Sequence, residues 1–252
     1  MEYRLNDFLV DDSNEAAYSA IRKVIDNPRG VGVVCIWGQS GCGKTHLLRA
    51  LKTELTEMSQ ELSIAYTRGD DFLDEYIESI RQSKATAFRE KYFGLDGLII
   101  DGIEAISGKI ATWTEFQRLL YQAYEEGTSL IIGSALNPNF YENSQLITAG
   151  LVERIGKMQK STLELIARKE IKKKFPKDKD DESVKQIADT IVAKQINGFN
   201  DNPRSVKGIA RRVAFRSEEP NGELNVEKAK QSVGADYEMF ATYVMAKITN
   251  KG

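Results

Sequence analysis

The sequence predicts an α/β fold: a core built on a mostly parallel sheet over residues 1–165, followed by a small all-α domain over residues 166–252. Three observations carry this expectation. Short β-branched runs alternate with helical patterns as far as about residue 160, the mark of strand–helix–strand units and a parallel sheet. The first run feeds straight into a glycine-rich turn and then a helix. Beyond that point the β-branched runs stop and only helical spacing remains.

Residues 15–27, EAAYSAIRKVIDN, place Ala16, Ala17, Ala20, Ile21, Val24 and Ile25 on one helical face, and Pro28 with Gly30 ends the pattern. VGVVCIW, 31–37, is a β-branched and aromatic run suited to a strand buried on both faces. After the glycine turn, THLLRALKTELTEM sets Leu47, Leu48, Leu51 and Leu55 at helical spacing. SIAYT, 63–67, is a second strand, and the helix behind it turns Phe72, Leu73, Tyr76, Ile77 and Ile80 inward. GLIID, 97–101, is a third strand, TEFQRLLYQAYEE a helix, and SLIIGSA, 129–135, a fourth strand. The helical remainder reads LELIARKEIKKKF, ESVKQIADTIVAKQI, PRSVKGIARRVAF and VEKAKQSVGADYEMFATYVMAKI (226–248), with PKDKDDE and SEEPNGE as linkers.

Composition narrows the function classes. Hydrophobic residues make up 41% and charged residues 29%, ordinary for a globular chain. Lys+Arg at 35 against Asp+Glu at 37 leaves a net charge of −2, so no bulk positive charge points to nucleic acid or an anionic membrane, and any such contact must be local. The two cysteines, Cys35 and Cys42, have no disulfide framework around them and argue for a reducing compartment and against a zinc site. The single histidine, His46, leaves little room for histidine-based triads. MEYRLNDFLVDDSNE lacks the basic flank and apolar core of a signal peptide, and no apolar run reaches about 18 residues, so a cytoplasmic protein is expected.

Gly38-Gln-Ser-Gly-Cys-Gly43-Lys44-Thr45 fits G-x-x-x-x-G-K-[ST], after a predicted strand and opening a predicted helix. A triphosphate needs bare backbone N–H groups at close range, which glycines permit, and the positive end of the following helix adds a favourable field. Lys44 then reaches the β- and γ-phosphates, and the Thr45 hydroxyl ligates Mg²⁺. Cys42 is a small filler of the loop, unless it is an exposed and therefore reactive thiol near a helix N-terminus. Asp101, ending the apolar strand GLIID, stands where a phosphate-loop protein holds its metal through a carboxylate.

LNDFLVDDSNEAAYSAI, GKTHLLRAL, FLDEYIESIRQSKATAFREKYFGLDGLIIDGIEAISGK, GLVERIG and NPRSVKGIARRV resemble, in order, the ATPase domain of the bacterial replication initiator DnaA, a member of the AAA+ class. The resemblance spans roughly residues 4–233 and implies a P-loop AAA+ αβα core with a helical lid. It implies ATP or ADP with Mg as ligands, held by Gly38, Gln39, Ser40, Gly41, Cys42, Gly43, Lys44, Thr45 and His46, with Thr45 and Asp101 on the metal and Lys44 and Asp101 in catalysis. It further implies that Arg154 reaches a neighbouring subunit's nucleotide and that Arg204 is the lid arginine sensing the γ-phosphate. Two positions depart from the pattern. Gly102 stands where a second Asp usually orients the attacking water, and Ala135 where a polar sensor residue is usual. Glu104 serves as a base only if the backbone turns it inward.

In the same family the helical insertion at 68–92 lines a channel for single-stranded DNA, and here Arg81, Lys84, Arg89 and Lys91 cluster around Phe88 and Tyr92. Cations track phosphates and aromatics stack on bases, although Phe88 and Tyr92, four apart, fit a core face equally well. No stretch after residue 213 resembles the initiator's duplex-reading domain, so sequence-specific duplex recognition is not expected. Size and content are closer to a small Hda-like regulator. Three readings stay open: a nucleotide-switched assembly factor in replication or its control with weak or partner-dependent hydrolysis; a helicase-loader-type ATPase acting on single-stranded DNA; and an interaction module that holds ADP. The partners expected are further copies of the chain, a DnaA-like protein or a helicase, and single-stranded DNA; no membrane is among them.

Overall fold

The computed structural model describes residues 3–92, 94–108, 110–176, 181–197, 201–219 and 223–235. The chain forms two compact units, Met1–Gly156 and Lys157–Gly252. In the first, α1 (Glu15–Asp26), β1 (Val33–Trp37), α2 (Lys44–Met58), β2 (Ile64–Arg68), α3 (Gly69–Arg81), α4 (Ala85–Tyr92), β3 (Gly97–Asp101), α5 (Glu104–Ser107), α6 (Ile110–Glu125), β4 (Ser129–Ser134), α7 (Gln145–Thr148) and β5 (Leu151–Arg154) follow in order. The five strands make one sheet in the order β2-β3-β4-β1-β5, every pairing parallel.

Alternation along the strands explains the layers. Val34, Ile36, Ile99 and Ile131 face a core with Ile21 of α1 and Leu47 and Leu51 of α2. Their neighbours Cys35, Leu98, Ile100, Leu130 and Ile132 face the opposite core with Phe72, Phe88, Tyr92, Trp113 and Phe116. Both sheet faces are thereby covered by helices, which is why these strands read as continuous apolar runs. The α/β class and parallel sheet expected from the sequence are present, with two local corrections. Ala16 is exposed, and Ile80, expected inward, is 55% exposed because it lies past the buried stripe of α3.

The fifth strand was not expected. Leu151–Arg154 has no apolar run, its residues are only partly buried or exposed, and it lies at the sheet edge, where pairing with β1 rather than its own pattern makes it a strand. The second unit begins earlier than the 165/166 boundary read from sequence. Met158 and Leu163 pack in the helical unit's own core, because α8 already runs from Lys160 to Lys174. There α8, α9 (Asp181–Asn197) and α10 (Pro203–Arg216) surround Leu163, Ile171, Ile187, Ile191, Val206 and Val213. Asn202 caps α10 by accepting from Ser205 N at 3.0 Å, with Pro203 in the first turn. Of the helix expected over 226–248, residues 226–235 are described and helical; the remainder, and parts of both linkers, lie outside the described residues. No described helix is long and apolar enough to cross a membrane.

Candidate nucleotide-binding site

The site forms at the carboxyl ends of β1, β3 and β4, the edge where open parallel sheets bind ligands. The phosphate loop leaves β1 at Gly38, whose N–H donates to Ser134 O of β4 at 3.1 Å. Gly41 and Gly43 have φ of +86° and +119°, left-handed values that side chains rarely adopt, and the second delivers the chain to the first turn of α2. The N-terminal N–H groups of α2 are thus turned toward the loop.

Lys44 is only 8% exposed, and its ammonium donates to Gly38 O at 2.6 Å and Gln39 O at 3.1 Å. Thr45 Oγ1 donates to Asp101 Oδ2 at 2.7 Å, so the two residues expected on the metal meet although one opens a helix and the other ends a strand. Cys42 is buried at 5% exposure, which removes the alternative of an exposed thiol. Cys35 is buried within β1, and burial pushes its thiol up to about 12. His46 turns its ring to the amino-terminal segment: Nε2 lies 3.1 Å from Arg4 O, with Tyr3 and Phe8 edge-on to the imidazole.

Three site residues escaped the sequence reading. The Tyr66 hydroxyl donates to Asp101 Oδ2 at 3.1 Å and accepts from Arg49 Nε at 3.2 Å. Burial holds that hydroxyl above its usual range, against the pull of Arg49, so it keeps the proton it donates. Arg49 was detectable in principle, being four residues after Thr45 and so on the same helix face. The third is Gly133, opposite Asp101 in the β3–β4 register. A Cβ there would stand 2.8 Å from Asp101 Oδ1, so this glycine makes room for the carboxylate. Its signal was a lone glycine inside an apolar strand, which marks close approach.

Gly102 has φ of +84°, and the backbone does turn Glu104 inward: Ala135 N donates to Glu104 Oε2 at 2.9 Å. Arg154 ends β5 in register with Trp37, its guanidinium 5.2 Å over the Trp37 ring of the same chain. A side chain laid on its own sheet edge lends no support to an intersubunit contact. Arg204 is exposed in the first turn of α10, in the helical unit. Arg81, Lys84, Arg89 and Lys91 are all exposed, but Phe88 and Tyr92 are core residues at 6% and 1% exposure, packed edge-on or tilted against Phe72 and each other. Neither aromatic is available for base stacking. Lys91 pairs with Glu75 at 2.5 Å and Arg81 with Glu78 at 4.0 Å.

The family model for the bacterial DnaA ATPase domain matches residues 1–154. The chain belongs to this family. A DnaA from Francisella tularensis subsp. novicida is 35% identical over 156 residues, covering 62% of this chain and 31% of that protein. The match therefore spans about a third of the initiator's length. Domain III of DnaA from Thermotoga maritima superposes with a TM-score of 0.79 at 24% identity, over 92% of this chain and 96% of that one. A replication initiator DnaA bound to AMPPCP and single-stranded DNA gives 0.71 at 24% identity, over 85% and 65%. At that identity the two solved structures speak for the fold, and the DnaA family match speaks for descent.

Proposed function

We propose that the chain binds ATP or ADP with Mg²⁺ and acts as a nucleotide-switched assembly factor in DNA replication initiation or its control, with slow or partner-dependent hydrolysis. The observation that carries this is the buried Lys44 ammonium, which rests on two loop carbonyls and has no carboxylate paired with it among the described residues. A buried cation without a counter-charge is costly. A polyphosphate laid on the loop supplies the missing anion, and Lys44 then exchanges loop carbonyls for phosphate oxygens. The loop N–H groups at the start of α2 bind further oxygens. Thr45 and Asp101, already joined, hold the metal side, and the metal when bound neutralises charge on the terminal phosphates. With Gly102 and Ala135 contributing no polar side chain, hydrolysis depends on a carboxylate supplied from elsewhere, by this chain or a partner.

The replication role is supported by family membership and by the initiator relatives. Contact with single-stranded DNA is supported by the exposed cations of α3 and α4, acting on phosphates alone, and by the DnaA neighbour that holds such a strand. The test is calorimetry of Mg·ATP binding with the protein and its Lys44→Ala variant, followed by light scattering with ATP, ADP or no nucleotide. We expect the variant to lose binding and the parent to assemble only with ATP; unchanged affinity in Lys44→Ala overturns the phosphate-loop reading. A monomer under all conditions, carrying ADP that does not exchange, would instead favour an ADP-holding interaction module. Assembly that survives Arg154→Ala removes that arginine from the interface.

A further inference from the structure

The ends of β3 and β4 carry a carboxylate that neither departure from the DnaA pattern would suggest. Gly102, just past β3, donates its N–H to Gly133 O at 2.8 Å, and Ile103 N donates to the same oxygen at 3.1 Å. With the left-handed φ of Gly102, these bonds reverse the chain, so that Glu104, the first residue of α5, comes back over the end of β4. Its Oε2 is fixed by Ala135 N–H, while Oε1 lies 3.7 Å from the point where a Cβ on residue 102 would stand. The carboxylate therefore occupies ground next to both substituted positions. It also lies close to the phosphate loop, because Ala135 directly follows Ser134, whose carbonyl receives the Gly38 N–H at 3.1 Å.

We propose that Glu104 is the base of this site, orienting the attacking water and accepting its proton in place of the acid missing at 102. The inference rests on the reading that the phosphate loop binds ATP. One carboxylate oxygen is held by a backbone donor, which fixes the group's orientation, and the other is left to accept from water. In the reaction the water oxygen bonds to the γ-phosphorus as the bond to the β–γ bridging oxygen breaks. ADP leaves with that electron pair, inorganic phosphate forms, and the water's proton passes to Glu104 and on to solvent. A backbone donor replaces the polar side chain missing at Ala135, and a glycine at 102 permits the turn that brings Glu104 in. The two departures are then parts of one arrangement.

A merely structural role, tying α5 to β4, is separated by Glu104→Gln, which can still accept from Ala135 N–H but cannot take a proton. We expect its melting temperature and Mg·ATP affinity to stay close to the parent's, while single-turnover phosphate release falls by about 10²-fold or more. As a readout independent of turnover, nucleotide recovered from Glu104→Gln after incubation with ATP should be mainly ATP where the parent yields ADP. Glu104→Asp, which keeps an acid one methylene shorter, should retain an intermediate rate. Equal rates and equal ATP-to-ADP ratios in parent and Glu104→Gln overturn the proposal, as does a parent that binds ATP and never turns it over. Failure of the parent to bind ATP overturns the phosphate-loop reading itself, and this inference with it.

Discussion

Replacing Gly133 by alanine displaces the Asp101 carboxylate without substituting that residue. The backbone at 133 does not have a positive φ, so alanine is conformationally allowed there. The new Cβ would meet Leu48 Cδ1 at 2.6 Å and Asp101 Oδ1 at 2.8 Å, with Asp101 Cα at 3.4 Å. Both close atoms are ends of side chains and can move, so the protein should fold. Overpacking of this kind costs about 1–3 kcal/mol. Ordinary contact begins at 3.4 Å, so the carboxylate oxygen must retreat by about 0.6 Å. That shift moves a carboxylate whose other oxygen, Oδ2, is held by Thr45 at 2.7 Å and Tyr66 at 3.1 Å, so the group is displaced against both bonds. Misplacing a reacting or coordinating group by about 1 Å can cost on the order of 10²-fold. The assay is a Mg²⁺ titration of ATP affinity, with the melting temperature measured alongside. We expect a Mg²⁺ requirement raised by about 10-fold, on the scale of losing an outer-shell partner of a metal ligand. A folded Gly133→Ala protein with an unchanged Mg²⁺ midpoint would refute the reasoning.

Tyr66→Phe removes the same carboxylate's second donor while keeping the ring beneath Arg49, and should raise the Mg²⁺ requirement by about 10-fold with little change in fold; circular dichroism and the same titration check it. Phe88→Ala should destabilise the first unit by about 3–5 kcal/mol in urea titration, because the ring is 6% exposed in the core rather than presented to DNA. Lys84→Ala with Arg89→Ala should leave stability within about 0.5 kcal/mol and weaken single-stranded DNA binding in a salt-dependent way; binding that is lost at every salt concentration, or not at all, contradicts phosphate tracking.

Most of the fold was legible because it rests on local periodicity. Val34, Ile99 and Ile131 alternate with Cys35, Leu98 and Ile132 across a sheet covered on both faces, and such strands announce themselves as apolar runs. β5 did not, since Leu151–Arg154 has no pattern of its own and its identity comes from pairing with β1. The same divide runs through the site. Gly38 to Thr45 are contiguous, so the motif carries them, and Asp101 follows once a strand end is recognised. Tyr66, Gly133 and the Glu104–Ala135 bond join residues 31 to 35 positions apart on separate elements, which no spacing rule encodes. Phe88 and Tyr92 show the opposite limit: cations and aromatics interleaved in sequence can be separated by the helix, charges outward and rings inward.

Gly102 is the position at which pattern and geometry give opposite instructions. The family pattern suggests that Gly102→Asp should restore a missing acid and speed hydrolysis. The structure argues for the reverse. Residue 102 has φ of +84°, where a side chain costs about 1–2 kcal/mol, although Asp tolerates this region better than most. Its Cβ would start 3.7 Å from Glu104 Oε1, so the new carboxylate has to share the space with the existing one. Two like charges at about 4 Å repel by roughly 4 kcal/mol at an effective dielectric of 20, more than a typical hydrogen bond to a charged group contributes. The Ala135 N–H is then too weak a tether, and Glu104 is displaced or one acid takes up a proton. Phosphate release should fall in Gly102→Asp and recover in part in the Gly102→Asp, Glu104→Gln double variant, where the repulsion is gone and one acid remains. A single Gly102→Asp variant that turns over ATP faster than the parent would mean that Glu104 is a bystander and that the site was waiting for its missing residue.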